Sequence, residues 1–280
     1  MRSATLLLQM ILFASTAATA QDLTLIWKIE NVFSMPESAT FDTNAQYIFV
    51  SNVNEYAKDG NGFISRVSVD DASVVLHWLD GLDSPTGLAV FDGLLYFADF
   101  DSLVVADIAT AQILNRYAAP DINPSLNDVA ISPEGNVFVT GSASSSIYHL
   151  DEDQLKVWRH DEELLSLANG LAIEGDLLIH GGQSWNVFNR HTAELASDAI
   201  QLAPNLEGID GITRTLCGSY LLSLLADDRL WHVSGTGNSR PLIGGPLNGI
   251  DLHSQAALVV VPQVGGDLTL LRQDRDSCAR

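Results

Sequence analysis

Six short segments of this chain each place a polar residue ahead of alternating apolar positions. They are Pro36-Glu37-Ser38-Ala39-Thr40-Phe41, Pro85-Thr86-Gly87-Leu88-Ala89-Val90, Leu126-Asn127-Asp128-Val129-Ala130-Ile131, Ala168-Asn169-Gly170-Leu171-Ala172-Ile173, Ile209-Asp210-Gly211-Ile212-Thr213-Arg214 and Leu247-Asn248-Gly249-Ile250-Asp251-Leu252. Of the six markers Glu37, Thr86, Asn127, Asn169, Asp210 and Asn248, all but Thr86 carry a carboxylate or a carboxamide. Brought together, they make an oxygen cage with two formal negative charges and no soft ligand. Ca²⁺ takes six to eight such oxygens, and other hard divalent cations favour the same donors. Zinc would ask for His or Cys, which the set lacks. Asn and Asp also begin strands simply because they serve turns, but Glu37 does not fit that explanation.

The spacing of the markers says what must position them. The intervals are 49, 41, 42, 41 and 38 residues, the length of one four-stranded unit in a propeller. The strands are legible inside the units. In the second, Thr86–Phe91, Leu94–Ala98, Ser102–Ile108 and Ala111–Tyr117 are separated by short gaps such as Asp92-Gly93, a tight hairpin signal. No stretch sustains a helical period over three turns, so an all-β, six-bladed propeller is expected. The sixth unit lacks a fourth strand at the C-terminus, and Leu23–Ile29 is a spare strand at the other end. Pairing the two closes the ring and leaves no long edge open. In that architecture the first strand of each blade lines the channel, and the markers meet at one mouth. Second-strand ends should face the same mouth, adding His180 as a candidate proton acceptor and Trp185 as a candidate substrate wall.

Composition narrows the function classes. With 14 Lys and Arg against 35 Asp and Glu, the formal charge is −21, which opposes phosphate backbones and anionic lipid, so neither nucleic acid nor membrane is an expected partner. Residues 1–20 read as a cleaved signal peptide: Met1-Arg2, then an apolar run from Leu6 to Ala14, then Ala18-Thr19-Ala20 before the cut. Residues 21–280 follow as one domain in the periplasm or outside the cell, where the two cysteines, Cys217 and Cys278, could form a bridge. The chain holds no Gly-x-Ser-x-Gly, no His-Glu-x-x-His and no phosphate-binding Gly-x-x-x-x-Gly-Lys-Ser/Thr sequence.

Pro36-Glu37, Asn127-Asp128, Asn169-Gly170 and Asp210-Gly211, one per blade at this spacing, resemble the gluconolactonase and senescence-marker-protein family, six-bladed calcium-dependent lactonases distantly similar to paraoxonases. The resemblance implies Ca²⁺ held by Glu37, Asn169 and Asp210. It implies that Asn127 touches the metal, a water or the substrate, and that Asp210 transfers protons. Thr86, Asn248 and Trp185 complete the expected substrate contacts. The implied activity is hydrolysis of a small lactone or ester by a monomer, the metal-polarised carbonyl being attacked by water. One departure matters: sugar-lactone members carry an Arg two residues before the Asn-Asp pair, and here that residue is Ser125. The alternative is a non-catalytic, metal-containing propeller that binds a ligand or a protein partner.

Overall fold

The computed structural model describes residues 23–196, 199–202, 206–242 and 245–273. They form twenty-three strands and no helix, grouped in six antiparallel sheets. Blade 1 runs through Pro36–Phe41, Tyr47–Asn52, Gly62–Ser68 and Val74–Leu82. Blade 2 follows with Pro85–Phe91, Leu94–Asp99, Ser102–Asp107 and Gln112–Ala118, and blade 3 with Leu126–Ile131, Val137–Gly141, Ser146–Asp151 and Gln154–His160. Blade 4 has three strands, Leu171–Glu174, Leu177–His180 and Asn186–Asn189. Blade 5 has Ile209–Arg214, Tyr220–Leu224, Asp227–Val233 and Ser239–Pro241.

Blade 6 closes the ring. Its strands His253–Gln255, Leu258–Gln263 and Asp267–Gln273 are completed on the outside by Leu23–Ile29, paired antiparallel with Asp267–Gln273. The closing strand therefore comes from the N-terminus, as its isolated apolar run suggested. The signal segment and Cys278 lie outside the described residues.

The core is divided among the blade interfaces. Six apolar clusters each join two neighbouring blades. Val260, Leu268 and Leu270 of blade 6 pack against Ala39, Ile48 and Val50 of blade 1, and Leu221 and Leu230 of blade 5 pack against Val259, Val261 and Leu271 of blade 6. The other four interfaces repeat the arrangement. Short strands rich in Val, Ile, Leu and Phe suit this geometry because each blade buries both faces.

The inner strand of each blade descends from what we term the upper mouth of the channel to the lower mouth. At its upper end the ladder is irregular in blades 1, 2, 3 and 5. Pro36 pairs with Asn52, but the next registered pair is Ala39 with Val50, and the same step separates Pro85 from Leu88, Leu126 from Val129 and Ile209 from Ile212. Two residues thus face one, a β-bulge that re-aims side chains toward the axis. In three blades a hydroxyl on the second strand holds the bulge: Ser51, Thr140 and Ser223 accept from the backbone N–H of Ser38, Asp128 and Gly211.

Candidate metal centre

The bulges build two layers of side chains at the upper mouth. The outer layer is Glu37, Thr86, Asn127, Asn169, Asp210 and, in blade 6, Ile250. There Gly249 bridges to Gln263 and the Ile250 N–H bonds the Pro262 carbonyl, which aligns Gly249 with Ile209 and Ile250 with Asp210. Asn248 sits two residues before the ring position, in the left-handed region with φ 57°. The inner layer is Ser38, Gly87, Asp128, Gly170, Gly211 and Asp251.

Inner-layer carboxylates stitch neighbouring blades. Asp128 accepts from its neighbour Val129 and, across to blade 4, from the N–H of Leu171 at 2.6 Å. Asp251 accepts from Leu252 and, across to blade 1, from the Ser38 hydroxyl at 2.6 Å. The blade before each of these acids carries glycine because nothing larger fits. A Cβ on Gly87 would stand 2.5 Å from Asp128 Oδ1, and one on Gly211 would stand 2.5 Å from Asp251 Oδ1.

Outer-layer residues divide into two kinds. Thr86 is buried and structural: its hydroxyl donates to the carbonyls of Leu126 and Asn127. Glu37, Asn169 and Asp210 are buried too, but they are underused. Asn169 Nδ2 donates to Asp210 Oδ1 at 2.6 Å, which turns the amide oxygen of Asn169 into the atom it can offer elsewhere. Glu37 Oε2 is fully buried and has no hydrogen-bond partner. Asn127 is half-buried beside them.

Four carboxylates thus lie close to the axis, and none joins an ion pair among the described residues. Burial, then the charge of Asp210, holds the Glu37 carboxyl well above its usual range. Burial and the charge of Asp251 push Asp210 up to about 7, against the opposing bond from Asn169. Burial raises Asp251 to about 6 and also raises Asp128, where Asp251 adds its charge. An unpaired buried anion is expensive unless it is protonated or meets a cation. The orphaned Glu37 oxygen, the Asp210 carboxylate and two carboxamides form a hard-oxygen set that fits such a cation. No three His, Cys, Asp or Glu side chains among the described residues are grouped to hold a metal, so a cation here would draw its remaining protein oxygens from Asn127 and Asn169.

The other sequence candidates are placed as follows. His180 pairs across to Leu171 at the level where the other blades carry Val50, Phe97, Val139, Leu222 and Val261. It is fully buried with both ring nitrogens unpartnered, and burial lowers it to about 3, so it is a neutral core group and a poor proton acceptor. Trp185 packs edge-on against Tyr220 and donates to the Ile200 carbonyl, inside the interface of blades 4 and 5. Second-strand ends brace the loops ahead of the ring. Asn52 accepts from Ser34, Asp99 from Asp83 and Ser84 while also binding Arg116, and Gln263 donates to Leu247.

Sequence reasoning missed Tyr56, in the loop between the second and third strands of blade 1. The residue as a whole is exposed, while burial about its phenol end, then the charges of Glu37 and Asp210, hold that hydroxyl above its ordinary range, so the two acids lie within its electrostatic reach. Its signal was the long first interval, 49 residues, which announces an insertion at this mouth.

No family model matches the chain, and no curated protein is similar to it in sequence. Solved structures do resemble it. Virginiamycin B lyase from Staphylococcus aureus superposes with a TM-score of 0.62 at 10% identity, covering 88% of this chain and 98% of the lyase. The WD40 propeller domain of Doa1 gives 0.63 at 14%, covering 86% and 80%, and the propeller domain of Cps50 (Swd1) from Myceliophteria thermophila gives 0.62 at 10%, covering 89% and 99%. At such identity the likeness carries the fold alone: this chain is a six-bladed β-propeller.

Proposed function

We propose that the protein is an exported, calcium-dependent hydrolase of lactones or activated esters, of the gluconolactonase and senescence-marker-protein type. The observation that carries this reading is the Glu37 carboxylate oxygen, buried on the axis without a partner beside Asp210, Asn169 and Asn127. These four residues would hold the ion. A bound Ca²⁺ supplies a Lewis acid that polarises a carbonyl and offsets charge in the tetrahedral intermediate.

The chain's own residues do the rest. Asn169 orients Asp210 through the Nδ2–Oδ1 bond. Asp210 takes the proton of the attacking water and returns it to the leaving oxygen. A carboxylate facing a cation is a weak base, which suits activated acyl compounds better than amides. The substrate enters by the upper mouth and the enzyme acts as a monomer, after cleavage behind Ala20.

A second reading has its own support. The Thr86 hydroxyl is consumed by two backbone carbonyls, and Asn248 stands off the ring, so two expected substrate contacts are missing. That favours a propeller in which the metal only rigidifies the mouth. Hydrolysis of a lactone panel, with Ca²⁺ or with chelator, separates the two. The hydrolase reading expects turnover that needs the ion and falls by about 10²–10⁴ in Asp210→Asn. If Ca²⁺ raises the melting temperature and no lactone is hydrolysed, the rigidifying reading replaces it.

A further inference from the structure

Below the two layers of the candidate metal centre the six inner strands part around a chamber of about 760 Å³, and no residue of either layer lines it. Its wall draws on one equivalent position per blade, three residues after the ring position. Register fixes the equivalence: Thr40 pairs with Phe49, Ala89 with Tyr96, Ala130 with Phe138, Ala172 with Ile179, Thr213 with Leu221 and His253 with Val260. All six line the chamber. Blades 2, 3 and 4 carry alanine there, while blades 5, 6 and 1 carry Thr213, His253 and Thr40. The next position divides nearly along the same line. It is Phe41, Val90, Ile131 and Ile173 on blades 1 to 4, and Arg214 and Ser254 on blades 5 and 6.

Strand packing does not ask for this division. Alanine is depleted in strands, where β-branched and aromatic side chains are favoured. Three alanines on adjacent blades keep open a space that larger residues would close. Ala89, Val90, Ala172 and Ile173 stay half-buried, so apolar surface faces the chamber. The opposite wall holds polar groups that the protein itself leaves unused. Thr40 is 1% exposed, and its hydroxyl makes no hydrogen bond among the described residues. His253 has a buried Nδ1 without a partner. Thr213 and Ser254 bond each other at 2.9 Å, and the Ser254 hydroxyl donates to the Arg214 carbonyl, so this pair retains acceptor oxygens. Enclosed polar atoms without partners are uncommon in folded proteins, and each calls for a reason.

We infer that the chamber binds an uncharged cyclic molecule, with its hydrocarbon skeleton against the alanines of blades 2, 3 and 4 and a hydroxyl or carbonyl oxygen toward Thr40 and His253. The site is separate from the candidate metal centre and does not depend on the hydrolase reading. Its volume lies in the range of small-molecule sites, which are mostly apolar with a few placed polar groups. All six blades contribute to the wall, and a round wall favours a compact ring system over an extended chain. Charge excludes the ionised alternatives. Arg214 is the one Lys or Arg of the lining, and Glu174 pairs with it at 2.5 Å. Burial lowers His253 to about 4, so it is neutral at pH 7. A carboxylate would lose its hydration without gaining a counter-charge. The lining acids, Asp42 and Asp92, lie in the lower turns of blades 1 and 2, and Asp42 already accepts from the N–H groups of Gln46 and Tyr47. Water screens these turns, so an ammonium group gains little there.

Calorimetric titration of the full chain with 1-adamantanol, 1-adamantanecarboxylate and 1-adamantylammonium tests this. We expect saturable binding of the alcohol, with both ions weaker by at least about tenfold. Thr40→Val keeps the volume and removes the hydroxyl, and should weaken the alcohol about fivefold. The double variant Ala89→Leu, Ala172→Leu fills the alanine side and should weaken it by at least about tenfold. Asp210→Asn should bind the alcohol as the parent chain does. In the parent chain, the methyl resonances of Ala89, Ala130 and Ala172 should shift as the alcohol is added, a readout that needs no variant to fold. Absence of alcohol binding, or an ion bound as tightly as the alcohol, overturns the inference. So does alcohol binding that Asp210→Asn weakens and the alanine substitutions leave unchanged, since that places the molecule at the upper mouth.

Discussion

The two ends of one channel are built from the same six strands and have opposite characters. At the upper end the strands bulge, approach each other closely, and bury four carboxylates without a counter-charge. At the lower end they splay around a cavity of about 760 Å³ lined by Leu88, Val90, Val129, Ile131 and Ile173, with His253 and Arg214 at its rim. Glycines at the two ends show the contrast: a Cβ on Gly93, in the lower turn of blade 2, meets no atom within 4 Å and one on Gly135, in the lower turn of blade 3, meets only the Phe91 ring at 3.0 Å, whereas one on Gly87 collides with Asp128 and Asn127. Electrostatic cost is therefore concentrated at one end of the axis. The upper end buries unpaired acids around the candidate metal centre, and the lower end is looser strand packing around a cavity.

The glycine pair tests that difference most strongly. Gly87→Ala is expected to lower unfolding free energy by about 2–4 kcal/mol, because backbone and carboxylate atoms must move. Gly93→Ala, at φ 76° in open space, is expected to lose only about 1 kcal/mol from backbone strain. Urea titration of both variants decides it; equal losses would break the contrast.

The buried acids give a pH signature. A carboxylate raised in the fold is penalised when charged, so its contribution is intact below about pH 4, the ordinary carboxylate value, and is lost as pH rises through about 7. The buried histidines His180 and His253, lowered to about 3 and about 4, act in the opposite direction between pH 6.5 and 4. Comparing Asp210→Asn with the parent chain in chelator cancels their part. The variant's advantage should grow from near zero at pH 4 towards ~4 kcal/mol at pH 8, and Ca²⁺ should abolish it. A flat difference would mean Asp210 is charged without penalty.

The smallest effect belongs to the lower end. His253 has a buried Nδ1 without a partner, beside the Phe41 ring at 5.9 Å. His253→Leu removes an unsatisfied polar atom and should change stability by less than about 1 kcal/mol, in either direction, in thermal unfolding at pH 7.

Much of this was legible beforehand, for identifiable reasons. The recurring motif at intervals of 38 to 49 residues singles out Glu37, Asn169 and Asp210, because a ring repeats its geometry as a spacing. Strand limits followed from turn dipeptides: Leu94–Asp99 against an expected Leu94–Ala98. Asn248 was misregistered because Asn-Gly satisfies two different demands. In blade 4 it fills the ring position, and in blade 6 its asparagine takes a left-handed turn just before it. Asp128 and Asp251 were visible as residues but not as inter-blade ties, since that role depends on which blade lies alongside. His180 looked reactive because a strand-end histidine does; only its register with Leu171 reveals a core position.

The closure of blade 6 has a consequence for synthesis. The strand Leu23–Ile29 is synthesised well over two hundred residues before its partner Asp267–Gln273, so the circle stays unsealed until residue 273 has been made. A product ending before residue 267 keeps the early blades but offers an unlatched sheet edge, a ready template for sticking to other chains.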